Sequence, residues 1–366
     1  MTEAPKPVRI VLLYGGQSAE HEVSRVSAAS VLKAIDTTRY DVVPVAITPD
    51  GRWLRSDETL ALMAAGQGRL PDSIESLDAD GTALAPLSSV APGHADQQVV
   101  VLPILHGPRG EDGTVQGLLE LADVAYVGTG VLGSALNMDK ATAKVVAEAA
   151  GVPVCAWLSA RDAEIDDAFI AKVGSELGWP VFVKPSNMGS SVGVNRADDP
   201  EQLRAALADA TQYDEWVVVE EAVDARELEV GVIGNEAPRA SVVGEIVPTH
   251  EFYDYEDKYL DGAAEMVIPA EVPDEIAAQM RELAVTVYRA LRCDGYARVD
   301  LFYEEGGRGL LLNEVNTIPG FTPYSMFPSL WAASGLPYPE LIAEMVRLAR
   351  ERHDHRAGFG RPHPPT

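Results

Sequence analysis

The chain has 366 residues, 46% of them hydrophobic, and 56 acidic against 29 basic side chains, a formal charge of −27. That length calls for two or three domains with an ample core. That charge excludes nucleic acid or an anionic membrane as the main partner, yet a few local cations can still hold an anionic cofactor. The two cysteines, Cys155 and Cys293, build no framework and read as buried thiols. No apolar run approaches the ~18 residues of a membrane helix, and the apolar stretch before Gly15 is too short for a signal-peptide core. A soluble cytoplasmic protein is expected.

The first third alternates strand and helix signals. Strands are expected at 8–14, 41–47 and 98–105, with a helix over 23–35 after Gly15 and Gly16. Such alternation implies a parallel sheet with helices on its faces. Residues 57–94 show weak periodicity and read as a variable connection. Helices follow at 138–151 and 164–177, a strand at 180–184, and strands at 216–220 and 228–233. Residues 249–263 are polar and aromatic without a period, which reads as a lid loop. A helix is expected over 273–291, strands at 297–303 and 310–316, a last helix over 337–352, and a frayed tail beyond.

The strand LLLNEVN and its neighbour ARVDLFY carry the strongest chemistry. Side chains alternate along a strand, so Glu314 and Asn316 share a face, as do Arg298 and Asp300. Pairing the two strands gathers Asp300, Glu314 and Asn316 as hard oxygen ligands suited to magnesium and phosphate, with Arg298 adding a fixed charge. Upstream, FVKPSNMGSSVGV places Lys184 at a strand end, followed by a Gly/Ser loop whose N–H groups can wrap phosphate oxygens. The loops at Gly15–Glu22 and His106–Thr114 leave the carboxyl ends of parallel strands, where ligands bind. They offer Glu20 for a substrate ammonium and His106 for binding.

Taken together, GGQSAEHEVS, HGPRGEDGTVQG, MDK (138–140), FVKPSNMGSSVGV, YDYEDKY, ARVDLF and NEVNTIPGFTPYS resemble the D-alanine–D-alanine ligases of the ATP-grasp superfamily. The motifs run in family order from residue 15 to residue 325. The resemblance implies an α/β, three-domain ATP-grasp architecture. A parallel-sheet domain over 1–130 would hold the first substrate. Two α+β units, 131–222 and 223–352, would clamp ATP, with 353–366 as a flexible tail. It implies ATP-dependent ligation of two D-alanines through a D-alanyl phosphate for peptidoglycan synthesis, by a homodimer without membrane or nucleic-acid partners.

The resemblance also carries roles. Lys140, Lys184, Ser190 and Ser191 would contact ATP phosphates, and Glu220, Glu221, Val223 and Glu227 would line the adenosine site. Asp300, Glu314 and Asn316 would bind two magnesium ions, with manganese as a substitute, Glu314 bridging them. Glu20 would hold the first ammonium, with His106 near its carboxylate. Arg298 and the Gly320 N–H would form the oxyanion site. Ser325, the Met326 backbone and Lys258 would receive the second carboxylate, and Glu20, Ser190 and Tyr259 would form a hydrogen-bonded set beneath the lid. Other readings are a D-serine or D-lactate ligase, which the apolar Met326 and the lid Tyr259 respectively disfavour, or another ATP-grasp carboxylate–amine ligase.

Overall fold

In the computed structural model, which describes residues 8–66, 70–92, 97–247 and 265–359, the chain folds around three sheets. The first contains β1 (Val8–Gly15), β2 (Tyr40–Ile47), β3 (Trp53–Arg55), β4 (Thr82–Leu84), β5 (Val99–Ile104) and β6 (Ala125–Tyr126), in the order β4-β3-β2-β1-β5-β6. β1 lies parallel to β2 and β5, and β5 to β6, whereas β3 and β4 add an antiparallel edge. Along β1, Ile10, Leu12 and Tyr14 enter a core with the helices His21–Ala34 and Tyr338–Arg356. Val11 and Leu13 enter the opposite core, with Val115 and Leu119 of the helix Thr114–Leu121. An unbroken apolar run is what a strand covered on both faces requires.

The second sheet holds β7 (Trp157–Arg161), β8 (Val181–Pro185), β9 (Asn195–Ala197) and β10 (Trp216–Glu221), in the order β7-β10-β8-β9. The third holds β11 (Arg226–Ile233), β12 (Arg239–Val247), β13 (Glu265–Val267), β14 (Tyr296–Glu304) and β15 (Gly309–Asn316), in the order β13-β12-β11-β14-β15. Both are antiparallel throughout. The second packs on the helices Asp167–Glu176 and Pro200–Ala210. The third packs on Asp274–Ala290 and on Ala143 and Ala147 of the helix Lys140–Ala149. The third sheet is tied to the segment leading into β7, where Leu312 N–H donates to Pro153 C=O at 2.8 Å. An α/β protein with a parallel-centred sheet followed by two antiparallel ones matches the architecture expected above.

Three departures have physical causes. The stretch read as a variable connection contains the helix Asp57–Ala65 and β4, which with β3 extends the first sheet; β3 and β4 have three residues each, too few for a period to register. The helix Pro200–Ala210 went unread although Asp199 accepts from the N–H groups of Glu201 and Gln202 and Pro200 opens the first turn, both start signals. The last helix runs to Arg356, past the tail boundary placed at 352. Its residues Leu341, Ile342, Met345 and Val346 pack in the core of the first sheet and not in that of the third.

Gly231 on β11 shows how tightly the third sheet meets the helix Met326–Ala333. A Cβ there would lie 2.7 Å from Trp331 Nε1 and 3.2 Å from the Phe327 ring, and both aromatic side chains are fully buried. Gly231→Ala should therefore lose about 1–3 kcal/mol to overpacking. The measure is a lower urea midpoint with an unchanged slope. An unaltered midpoint would show that the helix moves aside without cost.

Candidate active site

β14 and β15 pair antiparallel with Arg298 opposite Asn316 and Asp300 opposite Glu314, so the four side chains expected to meet stand as two adjacent cross-strand pairs. The Arg298 guanidinium grips Asp300 in a fork, Nε to Oδ1 and Nη2 to Oδ2, each at 2.7 Å. It also lies 3.0 Å from Glu229 on β11. Asn316 turns its Nδ2 to Asp300 Oδ2 at 2.8 Å, so the amide nitrogen, not the oxygen, faces that carboxylate. Lys140 Nζ stands 3.6 Å from Glu314. Glu111, Lys140, Met188, Glu314 and Asn316 line one narrow cleft.

Among the described residues no three His, Cys, Asp or Glu side chains cluster as a metal site. Two carboxylates and one amide are instead what a magnesium ion uses when phosphate oxygens and water complete its shell. The donor set therefore fits the expected ions.

A second cluster forms on the other wall. Lys184, on β8, donates to Glu220 Oε2 at 2.8 Å, and Lys144 lies 3.0 Å from Glu220 Oε1. Burial alone would raise the Glu220 carboxyl, but the two ammoniums overcome it and hold Glu220 at about 2. Burial likewise works against the charged Lys184, and Glu220 reverses this so that its pKa is raised. Lys144 was not foreseen, yet it lies one helical turn after Lys140, a spacing that puts both on one face.

The Gly/Ser loop joins this wall to the first sheet. Ser190 and Ser191 sit at φ +49° and +58°, the left-handed region, and Ser190 Oγ donates to Glu20 Oε1. Lys140 Nζ donates to Met188 C=O at 2.5 Å, and Asn187 N–H to Asp214 at 2.7 Å. Glu20 is buried. A Cβ on Gly189 would lie 2.8 Å from its carboxylate and one on Gly107 2.7 Å away, so a side chain at either place would displace Glu20, and at Gly107 the φ of +72° adds strain.

His106 is buried, with Nδ1 at 2.9 Å from Ile318 C=O. Burial pushes its pKa below the ordinary value, so the ring is neutral, Nδ1 donates and Nε2 is left as an acceptor. Ser325 Oγ accepts from Thr322 N–H at 2.9 Å and would touch any Cβ on Gly320 at 2.7 Å.

Other expected residues fall at the edge. Glu221 Oε1 accepts from Ala156 N–H at 2.6 Å and from Arg308 at 2.5 Å, an outward pairing. Val223 lies in the turn before β11, and Glu227 stands on β11 opposite Phe302 and Ile246. Met326 is buried with Ile246 and Leu330, and its backbone is the part expected to serve the second carboxylate. Lys258 and Tyr259 lie outside the described residues. Glu229 and Arg308 were not foreseen; both are single charges on strands or hairpins, and only the cross-strand register reveals their partners.

Two carboxylates, an amide and an arginine on paired strands, with a two-lysine wall and a glycine/serine loop beside them, are the groups the resemblance calls for in an ATP-using ligase of the grasp type. Residues 9–129 match the family profile "D-ala D-ala ligase N-terminus" and residues 146–347 match "D-ala D-ala ligase C-terminus". A D-alanine–D-alanine ligase of Deinococcus radiodurans is 48% identical over 348 residues, covering 94% of this chain and 98% of its own length. One of Kineococcus radiotolerans is 46% identical, covering 96% and 99%.

Two solved structures each superpose with a TM-score of 0.80. They are the D-alanine–D-alanine ligase of Coxiella burnetii, at 32% identity covering 96% of this chain and 97% of its own, and the VanG D-Ala:D-Ser ligase of Enterococcus faecalis, at 33% covering 94% and 100%. The chain belongs to the D-alanine–D-alanine ligase family.

Glu220 supports a stability prediction. Glu220→Gln leaves Lys144 and Lys184 buried without a counter-charge and should cost about 3–5 kcal/mol in urea unfolding. In the wild type the folded carboxyl lies at about 2 against an ordinary 4.5. Its contribution is therefore whole above 4.5 and is lost as the pH falls towards 2. Across that window the wild type should lose stability faster than the variant; parallel curves would mean that the lysines carry no strain without Glu220.

Proposed function

We propose that the protein joins two D-alanines to D-alanyl-D-alanine at the expense of ATP and supplies peptidoglycan synthesis in the cytoplasm, acting as a homodimer. The reading is carried most by the Ser190 bond to Glu20, which draws the phosphate-cradling loop over the carboxylate suited to a substrate ammonium. Glu20 holds the first D-alanine by its ammonium, and His106 lies near the carboxylate of that substrate. The substrate carboxylate is thereby aimed at the nucleotide. A carboxylate oxygen attacks the γ-phosphorus and ADP leaves; the amine of the second D-alanine then attacks the acyl carbon, phosphate leaves, and the amine loses one proton.

Bringing a carboxylate to a triphosphate assembles like charges. Lys140, Lys184 and Arg298 offset them, and Arg298 with the Gly320 N–H stabilises the oxyanion. Asp300, Glu314 and Asn316 would hold magnesium ions, which neutralise charge on the transferring phosphate. Lys258 and Ser325 receive the second carboxylate, and Tyr259 closes the site against water, which would hydrolyse an acyl phosphate. Glu220, Glu221, Val223 and Glu227 flank the adenosine.

A second reading, transfer to D-serine, is kept open by the likeness to VanG. Phosphate release with ATP and magnesium, measured with D-alanine alone and then with D-serine or D-lactate as acceptor, decides between them. D-Alanine alone should support the fastest release and yield the dipeptide. Faster release with added D-serine, with the mixed product, would sink the alanine reading.

Arg298→Lys keeps the charge but loses the planar fork that spans Asp300 and Glu229. It should lower kcat at least about tenfold, about 1.4 kcal/mol of barrier. A smaller loss in steady-state assays would leave Arg298 a merely structural ion-pair partner.

A further inference from the structure

The loop His106–Gly113 contains an acid that the reaction above does not use. Glu111 Oε1 accepts the Gly107 N–H at 2.8 Å, and the Glu111 N–H returns to Gly107 C=O at 3.1 Å, so one residue clasps the other from both sides. Gly107 sits at φ +72°, and its α-carbon abuts Glu20, where a Cβ would lie 2.7 Å from Oε2. The preceding carbonyl, His106 C=O, accepts from Ser18 Oγ at 2.6 Å, while the His106 ring is tied to Ile318. The 106–107 peptide is thus the floor against which Glu20 and His106 are both set. Its amide hydrogen is held by a side chain, not by the backbone.

The neighbouring acid serves a different part of the loop. Asp112 accepts from Arg109 N–H at 2.8 Å and Thr114 N–H at 2.9 Å on the outer turn. Glu111 alone turns inward, to the cleft shared with Lys140 and Glu314.

We infer that Glu111 is a positioning residue for the first-substrate pocket: by accepting the Gly107 N–H it fixes the 106–107 peptide and, through it, Glu20 and His106. The inference rests on the ligase reading for its kinetic consequence, but the hydrogen bond itself can be observed without substrate. What it requires of residue 111 is a hydrogen-bond acceptor of glutamate length, and an amide carbonyl meets that requirement as well as a carboxylate does.

The experiment compares Glu111→Gln and Glu111→Ala in the full chain by two measurements. The first is amide hydrogen exchange at Gly107 by NMR without ligands. Wild type and Glu111→Gln should protect that amide, and Glu111→Ala should expose it. The second is steady-state kinetics. Glu111→Ala should raise the KM of the D-alanine that is activated about tenfold, about 1.4 kcal/mol, while the KM for ATP and kcat stay near wild type. That split is the signature of lost uniform binding. Glu111→Gln should restore the wild-type KM.

A Gln variant as impaired as Ala would overturn the inference in favour of a charge or proton role for Glu111. Unchanged Gly107 exchange in Glu111→Ala would overturn it outright. A wild-type enzyme that turns over no D-alanine would instead refute the ligase reading and leave the exchange experiment to judge the clasp.

Discussion

Each cation of the cleft is held against a carboxylate. Lys184 and Lys144 share Glu220, Arg298 bridges Asp300 and Glu229, and Lys140 faces Glu314. Unpaired ammoniums in so buried a wall would lose their protons or unfold it, so in this chain the pairings keep the buried cations charged. The arrangement also explains why the lysines stand on two elements. Lys140 and Lys144 share one stripe of a helix with Ala143 and Ala147, which pack on the third sheet, whereas Lys184 comes from the second.

The second and third sheets do not float. Leu312 bonds to Pro153 in the segment leading into β7, and Arg308 on the β14–β15 hairpin reaches Glu221 at the end of β10. The last helix carries the chain back to the first sheet. There Arg352 donates to the carbonyls of Gly128 and Tyr126 and stacks on the Tyr126 ring at 4.2 Å. The first sheet, whose β1 leads to Glu20, is thereby fixed to the chain end that follows β15. The contact of Ser190 with Glu20 then spans two bodies already held in register elsewhere, so a single hydroxyl can decide how the loop sits.

How far the sequence disclosed this depended on whether the chemistry lay along one element or between elements. Arg298, Asp300, Glu314 and Asn316 were legible because strand alternation converts spacing directly into a shared face, and the observed register pairs them as that rule demands. Lys144 was hidden because its partner Glu220 stands on β10, far along the chain, although its spacing from Lys140 puts both on one face of the helix. Glu229 could not be found without knowing that β11 neighbours β14, a pairing between strands more than sixty residues apart. The burial of Met326 with Ile246 and Leu330 likewise depends on β12 meeting the helix Met326–Ala333, which no local pattern discloses. The short β3 and β4 carried no period at all.

This contrast bears on acceptor choice. The VanG D-Ala:D-Ser ligase and the Coxiella burnetii D-alanine–D-alanine ligase superpose on this chain equally well, each at 0.80. A fold shared to that degree cannot hold the distinction between a methyl and a hydroxymethyl side chain. A site that satisfies a substrate hydroxyl rejects its absence strongly, whereas an apolar site excludes an added hydroxyl only weakly. On that argument a family member whose acceptor pocket is merely apolar should discriminate against D-serine only modestly, and a strict choice of alanine would need a side chain that fills the space of the hydroxymethyl group.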